Sequence, residues 1–449
     1  MKKCLYMIFI GILTISMTAC STGDNKGLSN TKEPASEALS NTKKPVSKEG
    51  KTVVTMAMSG SLDPSNYFVQ SGEYGFYQTV EKKFEEKYPE IDLAFQFTED
   101  NQKYKTTTNT ALLSGKGPDI FEISSLPIED YVSKKLLLNM DGAIEQDKTL
   151  NKNDLQTNIL DVLKRSGSLY AMPLGFNLRV FAGDGDILKN TNVDDKKWTW
   201  KDFENTVKKL GEGSKERRYG LAFYPAESVF IDLFVGRYSE FVDISTKTAK
   251  IDSPVFVGLM NQVKKMYDDK IMTGDEGASI FYSSNGISKP EGLMSLFEIF
   301  SNPKLLQQPE QTGGARVSSA SQFAVQVNSS VKEEAWKVIA FLLSDEVQSL
   351  PGRTGFSLLK SVNEKQLNEI QKQVKSGTYK LSSGKVPKVS DEQFTQFKQM
   401  IDTARSYQSP DMEVYAILNA EVSSFFNGQK SAEEVAKLIQ NKVTTFLNE

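Results

Sequence analysis

The chain contains no histidine. That absence removes Ser-His-Asp and Cys-His nucleophilic sites, histidine-ligated zinc and the usual general base. Cysteine is almost as scarce, with Cys4 and Cys20 the only two. Beyond residue 20 there can be no disulfide, thiolate metal site or cysteine nucleophile. After the first twenty residues there is no long apolar run, so no spanning helix is expected. Neither sign of charge dominates: 54 Lys and Arg stand against 57 Asp and Glu, for a formal net charge of -3. The two signs are interspersed, which speaks against a nucleic-acid surface. No catalytic residues, cofactor or metal are expected.

What is present is ordinary globular composition, 39% hydrophobic and 25% charged over 449 residues. That length suits about two or three domains. Met1, Lys2 and Lys3 form a short positive start, and residues 5–15 are apolar, the length of a secretory signal. Met17-Thr18-Ala19-Cys20 resembles the bacterial lipobox, with Met17 where leucine is commoner. The expectation is a lipoprotein signal peptide over residues 1–20 and lipidation of Cys20. The mature chain would then be held by lipid on the extracellular face of the cell membrane, as in a Gram-positive bacterium. Residues 21–50 read as a flexible tether. They have almost no large apolar side chain and cannot offset their ordering entropy. A short duplication starts at Leu28 and again at Leu39. As flexible coil the tether spans about 30 Å.

From residue 51 the hydrophobic period alternates between two and about 3.6. Residues 51–58 read as a buried strand. Residues 73–88 read as a helix, with Tyr77, Val80, Phe84 and Tyr88 on one face. Ile91, Leu93, Phe95 and Phe97 alternate as a strand. Residues 103–113 are a second helix and residues 118–123 a third strand. Strand, helix, strand, helix, strand implies parallel pairing and an α/β layer. Ligands bind beyond the carboxyl ends of such strands, here near Ser61, Glu99 and Ser124.

Helices are expected over residues 130–138 and 153–164, and strands over 219–224 and 321–327. Thr199 is placed to cap the helix at Asp202, and Pro254 to open another at its first position. Ser330 with Glu333, and Ser431 with Glu434, have capping-box spacing. In residues 168–177, Pro173 and Gly175 are expected to stop a short strand, so this stretch reads as an edge strand and a turn.

Five segments in chain order resemble the extracellular solute-binding proteins of ABC importers, the group that includes maltose-binding protein. They are LLSGKGPDIF at 112–121, GSLYAMP at 167–173, TWKDF at 199–203, the block from Ala324 to Ser344, and the closing helix from Ser431. The crossing departs from the family pattern at Phe176-Asn177, and residues 280–316 match it poorly.

The resemblance implies an α/β fold of two lobes, periplasmic-binding-protein-like, with hinge crossings and a central ligand cleft. By analogy the first lobe takes residues 51–170 and 302–347, and the second takes 171–301 and 348–449. Crossings are expected near 168–176, 301–305 and 345–352. The implied function is capture of a small solute, a sugar or oligosaccharide before a peptide, glycerol phosphate or polyamine, by a monomer that passes it to ABC permease subunits. Aromatic rings would cover the sugar's CH face while polar side chains bond its hydroxyls. The candidate ligand contacts are Ser61, Asp63, Glu99, Asp100, Ser124, Ser125, Phe176, Asn177, Tyr224, Tyr282 and Arg353. Asp63 and Asp100 also suit a turn and a helix cap. Asp119 is left out, because its motif recurs whatever the ligand. Trp200 and Trp336 are expected in the core and Trp198 at the surface. Two other functions fit the same chain: a sensory or adhesive surface lipoprotein, and a secreted carbohydrate-acting enzyme with paired carboxylates.

Overall fold

The computed structural model describes residues 44–47, 49–63, 65–212, 216–311, 314–407 and 410–448. The expected signal peptide, its Cys20 and the expected tether as far as Lys43 lie outside the described residues. Residues 44–46, expected in that tether, pack on the folded body. Val46 bridges Thr52, the Pro45 carbonyl accepts from the Val53 amide, and Lys44 reaches Glu334 at 2.6 Å.

The first layer follows its hydrophobic pattern. Strands β1 (Thr52–Ser59), β2 (Ile91–Thr98) and β3 (Ile120–Glu122) pair in parallel, β1 in the middle. The crossovers are helices α1 (Glu73–Lys87) and α2 (Asn101–Leu113). Helix α1 buries Phe76, Tyr77, Val80 and Phe84, a stripe at helical spacing. Helix α2 starts two residues before the expected Lys103, because Asp100 caps it by accepting from the Lys103 amide.

The expected turn at Pro173 and Gly175 does not form. Strand β4 (Ala171–Asp184) runs straight through both as the longest strand of the sheet. Further on come helices α3 (Trp200–Gly211), α4 (Ala226–Gly236) and α5 (Pro254–Asp268), then strands β5 (Phe281–Ile287), β6 (Pro303–Leu306) and β7 (Arg316–Val325). One edge of β4 carries β7 along residues 171–179 and then β6 along 181–184. The other edge carries β5 from Leu178 outward. Pro173 pairs with Gln322 of β7. The opposite edge of β4 meets only a bridge from Phe176 to Phe356 before β5 begins. Proline is tolerated where the strand has no second ladder to serve.

The chain closes with helices α6 (Lys332–Leu342), α7 (Lys360–Lys375) and α8 (Asp391–Asp402), strand β8 (Ser406–Tyr407), and helices α9 (Met412–Phe426) and α10 (Ala432–Asn448). β8 adds to β7 in parallel, completing a sheet of eight strands. Thr199 with Asp202 and Ser431 with Glu434 form reciprocal caps, and Pro254 stands in the first turn behind Ser253. The box at Ser330 does not form. The hydroxyl of Ser329 takes the Val331 amide instead, and α6 starts after Val331. The helix expected over 153–164 is shortened to Thr157–Val162. The strand expected over 219–224 is only Arg218–Tyr219, which pairs with Ala278–Ser279. It gives out before Phe223, whose backbone is left-handed.

The two faces of β4 meet different surroundings, because side chains alternate along a strand. The even-numbered face, from Met172 through Leu174, Phe176, Leu178 and Val180 to Ala182, joins one continuous core cluster along its length. That cluster holds α1, α6, α7 and α8, so residues 356–404, expected in the second lobe, bury their apolar side chains here. On the odd-numbered face, Ala171 belongs to a small cluster with Ala57, Tyr104 and Phe121. Ten residues on, Phe181 belongs to a third cluster built from α3, α4, α5, α9 and α10. Two separate clusters thus pack against the odd-numbered face, one toward each lobe, and residues 173–179 lie between them. Trp200 is core, as expected. Trp198 is core too, 5% exposed, and its indole donates to the Gln307 carbonyl.

Candidate functional site

The floor between the lobes is set by register. Arg179 pairs with Arg316, Asn177 with Ser318, Gly175 with Ala320 and Pro173 with Gln322. Directly paired residues share a face. Between Ala171 and Gly183 only Asn177 and Arg179 of β4 escape full burial. Sequence reading singled out Asn177 and its neighbour Phe176, but a period of two sends them to opposite faces. Phe176 is 0% exposed, stacked on Phe356 with ring centroids 5.6 Å apart. Its ring is core behind the sheet and no part of the cleft wall. The residue that shares the floor with Asn177 is Arg179, which was not expected.

The first-lobe wall comes from the ends of its three parallel strands. The Ser61 hydroxyl donates to Glu99 at 3.0 Å and accepts from the Asp63 amide at 3.1 Å. Ser61 and Glu99 are therefore brought together, though Ser61 is only 3% exposed. Asp63 holds the turn by accepting the amide and hydroxyl of Ser65, and those bonds keep its carboxyl below the usual range. Asp100 is the cap of α2. The Ser124 hydroxyl takes the Gln322 amide at 3.0 Å, tying the end of β3 to β7. Ser125 lies 3.3 Å from Asn101.

The second-lobe wall centres on Asp232 of α4, 7% exposed. It accepts a guanidinium N–H from Arg179 on Oδ1 and the Tyr224 hydroxyl on Oδ2, the latter at 2.6 Å. Burial pushes the Tyr224 hydroxyl up, and the Asp232 charge adds to that. Arg316, also buried, donates to Gln308. Burial lowers it to about 10, still charged at neutral pH. Tyr282 stands apart. It pairs with Ala182 on the even-numbered face, yet joins Tyr224, Phe223 and Arg218 around a cavity of about 460 Å³ on the second lobe. Arg353 is not in a wall. It donates to the carbonyls of Gln348, Thr354 and Gly355 within the crossing, and burial lowers it to about 10.

Between the lobes lies a cavity of about 210 Å³. Ser124, Ser125, Glu129, Arg165 and Gln322 line one side; Tyr238, Pro410, Asp411 and Met412 line the other. Glu129 is held by Arg165 at 2.8 Å. Asp411 caps α9 through the amides of Glu413 and Val414, and burial raises its carboxyl. Two signals in the sequence mark residues that were missed. Arg179 follows Asn177 by one strand period. Asp232 is the one charged residue in the apolar run from Val229 to Val235. Among the described residues no group of three His, Cys, Asp or Glu is placed to hold a metal ion.

Residues 70–349, more than half of the chain, match the family model described as bacterial extracellular solute-binding protein. Solved structures share the fold at low identity. The sugar-binding protein MalE of Xanthomonas citri is 16% identical, covers 88% of this chain and 98% of its own, and superposes with a TM-score of 0.60. An ABC substrate-binding protein of Listeria monocytogenes, in complex with cycloalternan, is 17% identical over 89% of this chain and 99% of its own, with a TM-score of 0.55. The GacH receptor of Streptomyces glaucescens, solved unliganded and with acarbose, is 17% identical over 88% and 98%, with a TM-score of 0.51.

Proposed function

The chain belongs to the family of bacterial extracellular solute-binding proteins, and from that premise we propose that it captures a sugar or oligosaccharide in the cleft between its lobes and delivers it to an ABC permease. The observation that carries this reading is the polar floor at Asn177, Arg179, Ser318 and Gln322, set on strands that run unbroken from one lobe to the other. A solute on that floor touches both walls. It stabilises the closed form by the contacts it makes there and not in the open form. A micromolar affinity corresponds to roughly -8 kcal/mol net of the cost of closing. Hydroxyls match the Ser, Asn and Gln groups of the floor, and Tyr224 and Phe223 offer rings on the second lobe.

No helix among the described residues is long and apolar enough to cross a membrane. In this reading the lipid on Cys20 holds the protein at the outer face of the membrane. The tether meets the first lobe at the start of β1, the end of the strand away from the cleft. The family and the structural relatives are binding proteins, and the role proposed here is binding without chemistry.

A thermal-shift screen over mono- and oligosaccharides, polyamines and phosphate esters tests the solute class. A ligand at 100-fold over its dissociation constant stabilises the native state by about 2.7 kcal/mol. Sugars are expected to raise the melting temperature. A shift given only by polyamines or by phosphate esters of non-sugars overturns the carbohydrate reading.

A further inference from the structure

The duplicated motif of the expected tether reads LSNTKEPAS at 28–36 and LSNTKKPVS at 39–47. The end of the second copy meets a gap in the sheet. β1 pairs with β2 over its whole length, but β3 joins its other side only at Met56 and Ala57. On that side the Thr55 amide is taken by the Asp119 carboxylate at 2.9 Å. The Val53 amide, two residues back and pointing the same way, is taken by the Pro45 carbonyl at 3.0 Å. The Ser47 amide donates to the Lys51 carbonyl at 2.8 Å. Residues 45–47 thus run antiparallel beside the start of β1, where an open edge invites another strand. Proline suits the outer position, since it asks for no partner to an amide.

Apolar burial does not hold this segment, for Val46 is 61% exposed. Charge adds what burial does not. Lys44 reaches Glu334, in the first turn of α6, at 2.6 Å. The hydrogen bond to Glu334 and the charges of Glu334 and Glu333 hold the Lys44 ammonium above its usual range. Glu334 is 13% exposed, and among the described residues its second oxygen is buried with no hydrogen-bond partner. Loss of Lys44 would leave that desolvated carboxylate unpaired. The first copy of the motif has the same proline and serine, but Glu33 stands where the second has Lys44. In the same seat Glu33 would set a third carboxylate against Glu333 and Glu334. We propose that Lys44 makes the second copy a docking strap, which fixes the tether on the first lobe, seals the start of β1 against strand addition and keeps the first copy out of that seat. The inference is independent of the solute that the cleft takes.

Hydrogen exchange read by mass spectrometry, with fragmentation to single residues, tests this on the protein from Ser21 to Glu449, which keeps both copies. The readout is the Val53 amide, whose bond is to Pro45. Lys44→Glu should speed its exchange about five-fold, the upper end for an exposed ion pair. In the parent the same amide should exchange faster as salt is raised. Adding Glu334→Lys to Lys44→Glu rebuilds the pair with its charges reversed and should return exchange to near the parent rate. Adding Glu33→Lys to Lys44→Glu should instead recover part of the protection through the first copy. Unchanged exchange in Lys44→Glu, or no recovery with Glu334→Lys, overturns the inference. Recovery with Glu334→Lys but none with Glu33→Lys overturns the selection between copies. Should Lys44→Glu fail to fold by circular dichroism, the parent decides the matter, and exchange at Val53 that ignores salt overturns the role of charge.

Discussion

A methyl group on Gly175 would come within 2.7 Å of the carbonyl oxygen of Phe356. The Thr354 carbonyl would be as close, and the Arg353 guanidinium is at 2.8 Å. The segment that follows α6 therefore crosses β4 with no space between the backbones. Glycine is required by that approach, since its backbone is not in the left-handed region. Gly175→Ala must push the crossing off the strand. It is expected to cost about 1–3 kcal/mol, read as a lower urea midpoint with an unchanged slope. Gly258, inside α5 with nothing within 4 Å of its missing methyl, supplies the opposite sign: Gly258→Ala should stabilise by about 1 kcal/mol. A neutral Gly175→Ala would show that the crossing yields freely.

The same crossing is fastened by Gln348, which is 0% exposed. Its amide nitrogen donates to the carbonyls of Leu174 at 3.1 Å and Leu342 at 2.8 Å. Its oxygen accepts the Ser357 hydroxyl at 2.7 Å and the Leu358 amide at 3.0 Å. One side chain thus ties β4, the end of α6 and the returning chain together. Gln348→Leu keeps the bulk and strands these groups without partners. It is expected to cost at least about 3 kcal/mol. Equilibrium unfolding checks this, and a loss under 1 kcal/mol would mean water replaces the amide.

How far the sequence revealed this molecule depends on which signal each residue carried. The parallel layer of β1, β2 and β3 was legible because apolar period and helix caps agree there. Asp119 was correctly read as structural. It accepts from the amide and hydroxyl of Thr55 and from the hydroxyl of Ser329, locking β1 to the chain beyond β7. The stop expected at Pro173 and Gly175 does not occur: both break strands by local rules, while here an unserved edge accommodates the proline and a crossing backbone demands the glycine. Phe176, expected at the base of the cleft, is core because a period of two turns it away from Asn177. Arg316 and Arg179 meet only through pairing of strands far apart in the chain, which no local pattern contains.

Glu122 gives a pH dependence with a definite sign. It ends β3 opposite Phe323, and burial raises its carboxyl above the usual range, against hydrogen bonds from Ser124. Glu73 of α1 is raised by burial and by the charge of Glu122, and Tyr77 lies beside both. A raised acid binds its proton more tightly folded than unfolded, so stability falls as pH rises from the unfolded value through the folded one. Glu122→Gln removes that loss, while its amide oxygen can still accept from Ser124. The variant should be more stable than the parent at pH 8 and equal to it at pH 4. Unfolding midpoints across that range are the measurement, and a difference independent of pH would place the effect in packing instead.

Phe223 stores strain at the surface. Its φ is +57°, and its side chain is 64% exposed. Its amide is fixed to the Asp275 carbonyl at 3.0 Å. A left-handed backbone costs a residue with a side chain roughly 1–2 kcal/mol, and an exposed ring recovers little of it by packing. Asparagine tolerates the conformation, so Phe223→Asn is expected to stabilise the fold by about 0.5–1 kcal/mol. The ring lies next to Tyr224 and shares a cavity with Tyr282 and Arg218. Strain held at such a place is what a binding role would maintain. The same variant should therefore weaken binding of whichever saccharide the thermal-shift screen selects, by about ten-fold if one ring face is lost. Phe223→Tyr should leave both properties near the parent. Greater stability with unchanged affinity would keep the strain argument and remove the ring from the site; lower stability would refute the strain argument itself.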